Sequence, residues 1–87
     1  MSKYSTQETE IHKRTDTVSL EEAQSLVGGY VQLIQLDDST QMLFDEEGKL
    51  KGYPVNKSAT FLAEHVLFAG DCVVGDVVLL SGEALWE

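Results

Sequence analysis

The first clear pattern of hydrophobic and polar positions lies in SLEEAQSLVGG, residues 19–29. Its apolar residues recur at helical spacing, and Ser19 followed by Glu22 is the S-x-x-E signature of a capping box. Gly28 follows where helices commonly end on a left-handed residue. The pattern predicts a short helix over Ser19–Val27 whose apolar face carries Leu20, Ala23, Leu26 and Val27.

A second helical pattern follows Pro54, the only proline of the chain, which keeps Tyr53 out of helical space. Asn56 is a favourable N-cap. We therefore expect a helix over Lys57–Leu67. Its apolar positions follow the i, i+3, i+4, i+7, i+8 spacing of an amphipathic helix, at Ala59, Leu62, Ala63, Val66 and Leu67.

Three further stretches are rich in β-branched and aliphatic residues and predict strands. Tyr30–Leu36 is apolar except at two glutamines, which suits a central strand with one partly wet face. Gln41–Asp45 returns after the turn-forming DDST. Val73–Leu80 is interrupted by a Gly-Asp pair, which predicts either one bent buried strand or a tight hairpin.

These elements predict an α+β fold, a small single domain with three to five mostly antiparallel strands and two short helices. Residues 1–17 are polar and predict either a flexible arm or a ragged first strand, and residues 18–87 form the domain. A chain of 87 residues favours one domain with a thin core. The expected core residues are Leu26, Val31, Leu33, Leu43, Leu62, Val66, Val73, Val77 and Leu79.

The excess of acidic residues restricts the classes of molecule that the protein could bind. Fifteen acidic residues face six Lys and Arg, for a formal net charge of -9. Such a surface repels nucleic acid and anionic membranes and favours a partner protein with a basic surface. The polar N-terminus and the single Cys72 favour a soluble protein of a reducing cytoplasm. A homodimer, which would bury more apolar surface, stays an open alternative.

The side chains that could bind a metal or act in catalysis lack the sequence spacing that such sites require. His12, His65 and Cys72 form no close ligand pair of the kind that holds zinc. The expected positions are a solvated His12, a His65 on the polar side of a helix and a buried, inert Cys72. Neither DDST nor DEEG follows the spacing of a calcium loop. We therefore expect no enzyme, no cofactor and no metal.

The stretch LKGYPVNKSATFL allows one ligand site. An exposed helix N-terminus binds anions through its free amides, and basic side chains beside it would add to that attraction. The more economical interpretation is that Asn56 only caps the helix. The candidate ligand-binding residues are Lys51, Tyr53, Asn56, Lys57 and Thr60.

Four segments of the chain carry a family resemblance: VGGY at Val27–Tyr30, EGK at Glu47–Lys49, PVNKSAT at Pro54–Thr60 and VGDV at Val74–Val77. On these segments the chain resembles a domain of unknown function found in small proteins of phages, prophages and plasmids. The resemblance covers about residues 18–80 and implies a small α+β fold and an accessory protein of a mobile element. It implies no reaction and assigns no site residue.

Acidity, size and this resemblance together give the working hypothesis of an accessory protein that binds and inhibits a host defence or nucleic-acid-processing protein. It would occupy the partner's nucleic-acid-binding surface, as a DNA mimic does. The alternative is a small-molecule or nucleotide-binding protein that sequesters a signal. The acidic turns would supply the partner-binding residues Asp37, Asp38, Asp45, Glu46 and Glu47.

We expect purified protein to carry no stoichiometric zinc and to show no hydrolase activity, because the sequence offers neither a ligand pair nor a nucleophile beside a base. Elemental analysis checks the first expectation, and about one metal per chain would contradict it.

Overall fold

The chain forms four strands and two helices over residues 9–86, the part that the computed structural model describes. The elements are β1 (Ile11–Arg14), α1 (Leu20–Val27), β2 (Val31–Asp37), β3 (Thr40–Asp45), α2 (Lys57–Ala63) and β4 (Val77–Ser81). Short 3-10 turns follow α2 at Glu64–Val66 and β4 at Gly82–Ala84. This arrangement confirms the predicted α+β fold.

All four strands belong to one sheet in the order β1-β4-β3-β2. β2 pairs antiparallel with β3, β3 pairs antiparallel with β4, and β4 pairs parallel with β1. The prediction that Tyr30–Leu36 is a central strand is therefore wrong. β4 lies between β1 and β3, so β3 and β4 occupy the centre and β2 lies at an edge.

The first helix begins and ends as its sequence predicts. Ser19 Oγ accepts a hydrogen bond from Glu22 N at 3.0 Å. The Glu22 carboxylate binds Arg14 of β1, so the capping box is only half formed. At the other end Gly28 adopts a φ of 95° and donates its N–H to Gln24 O at 2.8 Å, which satisfies a terminal carbonyl.

The second helix is shorter than predicted, because a 3-10 turn replaces its last turn. α2 ends at Ala63, and the tighter turn over Glu64–Val66 moves later side chains off the helical face. Leu62 and Val66, two predicted core residues, are 39% and 44% exposed. The face that α2 buries consists of Ala59 and Ala63.

The sheet separates two hydrophobic clusters. On one face α1 packs through Ala23 and Val27 on Leu43, Val78 and Leu80. On the other face α2 packs over a second group, which consists of Leu36, Met42, Ala59, Ala63, Val73 and Val77. Alternate residues of β3 and β4 point to opposite faces, so both central strands contribute to both clusters.

The predicted core is partly right. Leu43, Val73 and Val77 are buried, whereas Leu26, Val31 and Leu79 are half-buried. Leu33 is 37% exposed. It lies directly opposite Leu43, but on the edge strand, where its outer side has no neighbouring strand.

The segment predicted as a bent strand or hairpin over Val73–Leu80 does bend, but it forms a regular strand only from Val77. Gly75 has a φ of 78°, a left-handed conformation that interrupts pairing. Val74 forms an isolated bridge with Val55, and the regular strand begins at Val77. Cys72, expected to be buried, is half-buried.

The N-terminal segment contributes the outer strand β1. Ile11–Arg14 pair in register with Val77–Leu80 of β4. Residues 1–8 of the predicted arm lie outside the described part of the chain, as does residue 87.

Leu43→Ala should lower the free energy of unfolding by about 2–5 kcal/mol, because it removes a fully buried side chain and leaves a cavity. Leu33→Ala is the matched control on the opposing strand and should cost about 1 kcal/mol or less. Urea denaturation of both variants measures the difference. Equal losses would contradict the assignment of β3 as central and β2 as edge.

Candidate functional site

The face of the sheet that carries α2 holds an open cavity of about 320 Å³, hereafter the groove. Gln32 and Ile34 of β2 and Phe44 of β3 line it on the sheet side. The chain that follows α2 supplies the opposite wall, with Val66, Leu67, Phe68 and residues 71–74. The groove is therefore mostly apolar and lies beside the edge strand.

Two large apolar side chains of the groove are almost fully exposed. Leu50 is 87% exposed and Phe68 is 88% exposed. Leu50 belongs to the turn after β3, and Phe68 to the segment after the 3-10 turn. Exposed apolar side chains gathered around a cavity, with polar residues at the rim, are typical of a protein-binding surface.

The rim of the groove is charged. Glu46 is exposed and forms no salt bridge within residues 9–86. Lys49 and Asp71 form a salt bridge across the rim. Their contact raises the pKa of Lys49 and lowers the pKa of Asp71. Because this lysine is neutralised, Glu46 leaves a net negative charge at the mouth.

An ion pair between the exposed Lys51 and the buried Asp45 holds the turn beside the groove. Asp45 ends β3 and is only 2% exposed. Lys51 Nζ donates to Asp45 Oδ2 at 2.8 Å and to Gly28 O at 3.2 Å. The other carboxylate oxygen of Asp45 accepts from Glu47 N at 2.8 Å. Both oxygens are thus satisfied, which a buried carboxylate requires.

The pKa of Asp45 reflects two opposed effects. Burial raises the pKa, because a charge is costly away from water. The hydrogen bonds from Lys51 and from the backbone of Glu47 lower it by more, so the pKa of Asp45 lies below its ordinary value. Asp45 is therefore ionised at neutral pH.

The segments that carry the family resemblance converge on Tyr53. A methyl group added at Gly28 would lie 2.7 Å from Tyr53 Oη, and one added at Gly75 would lie 2.5 Å from Tyr53 Cδ2. One added at Gly48 would lie 3.1 Å from the same ring atom. The ring therefore fits against three glycines from separate parts of the chain, and a side chain at Gly28 or Gly75 would force it to move.

The Asp45–Lys51 ion pair also lies against a glycine, Gly29. A methyl group added at Gly29 would lie 2.5 Å from Lys51 Nζ and 2.8 Å from Asp45 Oδ2. Gly28 and Gly29 thus leave room for Tyr53 and for the ion pair. These contacts give the resembling segments a structural role in holding residues 46–56 against the end of the sheet.

The candidate ligand-binding residues do not form a pocket. Asn56 is buried and caps α2, as the more economical interpretation held, so the exposed helix end that a ligand site requires is not formed. Its side chain accepts from Ala59 N and donates to Gly75 O at 2.9 Å. Thr60 Oγ1 accepts from Val73 N at 2.8 Å and lies 3.3 Å from Val73 O, to which it donates. Lys51 holds Asp45, and Lys57 is exposed.

Of these five residues, Tyr53 lines a cavity. It borders a second cavity of about 270 Å³, which also touches Thr9, Leu26, Gly28 and Asp76. The groove touches none of the five.

The five residues of the predicted acidic face do not form one continuous surface. Asp45 is buried and does not contribute to an exposed face, because Lys51 neutralises it inside the fold. Asp37 and Asp38 lie at the β2–β3 turn, at the far end of β3 from Glu46 and Glu47. Asp37 accepts from Ser39 N at 2.8 Å, and this bond lowers its pKa.

The two histidines and the cysteine lie apart. His12 is half-buried rather than solvated, with Nε2 at 3.7 Å from Glu10 Oε1 and 3.5 Å from Asp76 Oδ2. Potential ligand atoms of these three residues lie within 4.8 Å of one another. His65 Nε2 donates to Leu36 O at 2.7 Å. Cys72 lines the groove.

Sequence reasoning missed the apolar part of the groove. Leu50 stands in a turn-forming stretch and Phe68 stands two residues before Gly70, where neither belongs to a predicted core face. Large apolar residues in turns are the signal that would have found them. The cavity itself depends on how β2, β3 and the segment after α2 meet, which local pattern does not encode.

Comparison with known proteins gives one match. A family model described as a domain of unknown function (DUF3846) matches residues 2–84. No curated protein and no solved structure matches. Within residues 9–86, no helix has the length and apolar character that crossing a membrane requires.

Lys51→Met should lower the free energy of unfolding at pH 7, because it leaves the buried Asp45 carboxylate without its cation. Lys51→Met combined with Asp45→Asn should cost less than the sum of the single changes. Strict additivity in urea denaturation would show that the two side chains are not coupled.

The Asp45–Lys51 pair also makes the free energy of unfolding depend on pH. The folded pKa of Asp45 is lowered, so its stabilisation is complete above the unfolded pKa of about 4 and is lost as pH falls through the folded value. We expect unfolding free energy to drop below about pH 4 in the parent protein and to drop less steeply in Asp45→Asn. Acid titration followed by circular dichroism measures both slopes.

Proposed function

The chain belongs to the DUF3846 family, and we propose that it is a non-enzymatic binding protein that docks the groove and its acidic rim onto a basic surface of a partner protein. The observation that carries this proposal is the exposure of Leu50 and Phe68 around a cavity beside Glu46. Large exposed apolar side chains are costly in water, and a partner surface that covers them recovers that free energy.

The charge of the chain supports a basic partner. A formal net charge of -9 produces a negative field that accelerates encounter with a positive surface. Glu46 and Glu47 are exposed beside the groove, so the field and the apolar contact act at the same place. In this proposal, the groove provides the apolar contact area, and the charged rim orients the partner and raises the association rate.

The proposed target is a host defence or nucleic-acid-processing protein, which the chain inhibits by occupying its nucleic-acid-binding surface. Such proteins carry clustered Lys and Arg where they meet phosphate. The proposed setting, an accessory protein of a phage or other mobile element in the host cytoplasm, rests on the resemblance of the VGGY, EGK, PVNKSAT and VGDV segments.

The alternative of a nucleotide-sequestering protein has less support. The hydrogen-bonding groups of Asn56 and Thr60 are occupied within the fold, and Lys51 neutralises Asp45. A nucleotide bound at this place would raise the melting temperature by mass action. We expect a panel of nucleotides to leave it unchanged.

Phe68→Asp should weaken partner binding at least about tenfold without unfolding the protein, because the ring is exposed and lines the groove. Glu46→Lys with Glu47→Lys should slow association and flatten its salt dependence. The experiment captures host proteins on the tagged parent chain, identifies the enriched species by mass spectrometry, and measures binding of the purified partner by biolayer interferometry.

The matched control is Glu21→Lys with Glu83→Lys, which changes net charge equally but lies away from the groove. It should keep most of the association rate. The proposal is wrong if the two double variants behave alike and Phe68→Asp binds as the parent chain does.

A further inference from the structure

The outer edge of β2 is open. β2 pairs with β3 on one side, and within residues 9–86 no strand pairs with its other side. Glu46 N donates to Tyr30 O at 2.8 Å. In an antiparallel pair, the backbone N–H and C=O groups of every second residue point toward the partner strand. The bond at Tyr30 therefore shows that the backbone groups of Tyr30, Gln32 and Ile34 point toward β3. The N–H and C=O groups of Val31, Leu33 and Gln35 therefore point outward.

The two edges of the sheet differ in their protection. β1, at the opposite edge, carries His12, Lys13 and Arg14 on four residues, and charged residues discourage the addition of another strand. β2 has seven residues, and its stretch Val31–Leu36 contains no charge and no proline. At the end of β2 the alternation is interrupted by a register shift between Gln35 and Asp37, and there His65 donates to Leu36 O.

The open edge and the groove are adjacent. Gln32 and Ile34 of β2 line the groove on the face that carries α2. A strand added beside β2 would place alternate side chains on that face, next to Ile34 and Phe68. Backbone pairing and apolar contact would then be made by the same segment.

Acidic residues stand at both ends of the open edge. Glu46 lies beside Tyr30 at the start of β2, and Asp37 and Asp38 lie at its other end. An added segment with basic residues at its ends and alternating apolar residues between them matches both the charge and the groove.

We propose that the partner docks by adding an extended segment to the β2 edge, apolar at alternate positions and basic at its ends. This inference rests on the proposed function and specifies its mode. Main-chain hydrogen bonds to Val31, Leu33 and Gln35 supply affinity, and the groove selects the side chains. A second copy of this chain is disfavoured, since it carries the same charge of -9 and brings acids to acids.

The probe is the synthetic peptide Lys-Lys-Val-Thr-Val-Thr-Val-Lys-Lys, titrated into the full chain at low salt. Its control is the same peptide with the five central amides N-methylated, which keeps charge and side chains but blocks strand pairing. Amide hydrogen exchange at Val31, Leu33 and Gln35 reports backbone pairing directly. We expect exchange there to slow at least about tenfold and the methylated peptide to bind at least about tenfold more weakly.

Leu33→Pro removes one outward N–H without removing a bond to β3, a position where edge strands tolerate proline. Leu33→Ala removes the same side chain and keeps the N–H. We expect the first to weaken peptide binding about tenfold and the second less than about threefold. Circular dichroism and the dispersion of the NMR spectrum verify that both variants fold.

The outcomes separate the two proposals. If Phe68→Asp weakens peptide binding while exchange at the edge is unchanged and Leu33→Pro behaves as Leu33→Ala, the groove binds its partner without strand addition and this inference is wrong. If the peptide does not bind at all, this inference is wrong, and the proposed function is decided separately by the effects of Phe68→Asp and of Glu46→Lys with Glu47→Lys on binding of the captured partner. If the chain is a dimer that Leu33→Pro converts to a monomer, the occupant is a second copy and the inference is overturned.

Discussion

A seven-residue helix is too short to cover a seven-residue strand. A helix advances about 1.5 Å per residue and a strand about 3.3 Å, so α2 is about 10 Å long where β2 is about 20 Å. α2 buries only Ala59 and Ala63 against the sheet. The rest of that face, from Gln32 and Ile34 to Phe44, meets the irregular chain that follows α2. The groove lies on the part of this face that α2 does not cover.

The loop beside the groove is held by buried polar contacts rather than by a large core. Asp45 and Lys51 fasten one end of it, and the hydrogen bond from Asn56 to Gly75 fastens the other. Between them the ring of Tyr53 fits against glycines that admit no side chain. Because the loop is fixed in this way, Leu50 stays exposed instead of folding back onto the sheet, and Glu46 stays at the rim.

Local signals predicted the local features of this fold. Ser19 and Asn56 cap their helices as the sequence indicated, because a cap depends on residues three positions away. The strand order was not predictable in this way. Leu33 and Leu43 have similar neighbours in sequence, but one is at an edge and the other is central, since β4 arrives from a distant part of the chain. The burial of Asp45 depends on Lys51, which stands on the far side of a turn.

The net negative charge of the chain bears on how its exposed apolar surface and open strand edge can associate. An open strand edge beside an apolar groove invites self-association, and proteins commonly prevent it with charges on the edge itself. Here the middle of β2 is uncharged, acidic residues lie at its ends, and the chain as a whole carries a net negative charge. A net charge of -9 repels a second copy while it attracts a basic surface. In the proposed docking, the same charge that disfavours pairing of this edge with a second copy favours a partner with a basic surface.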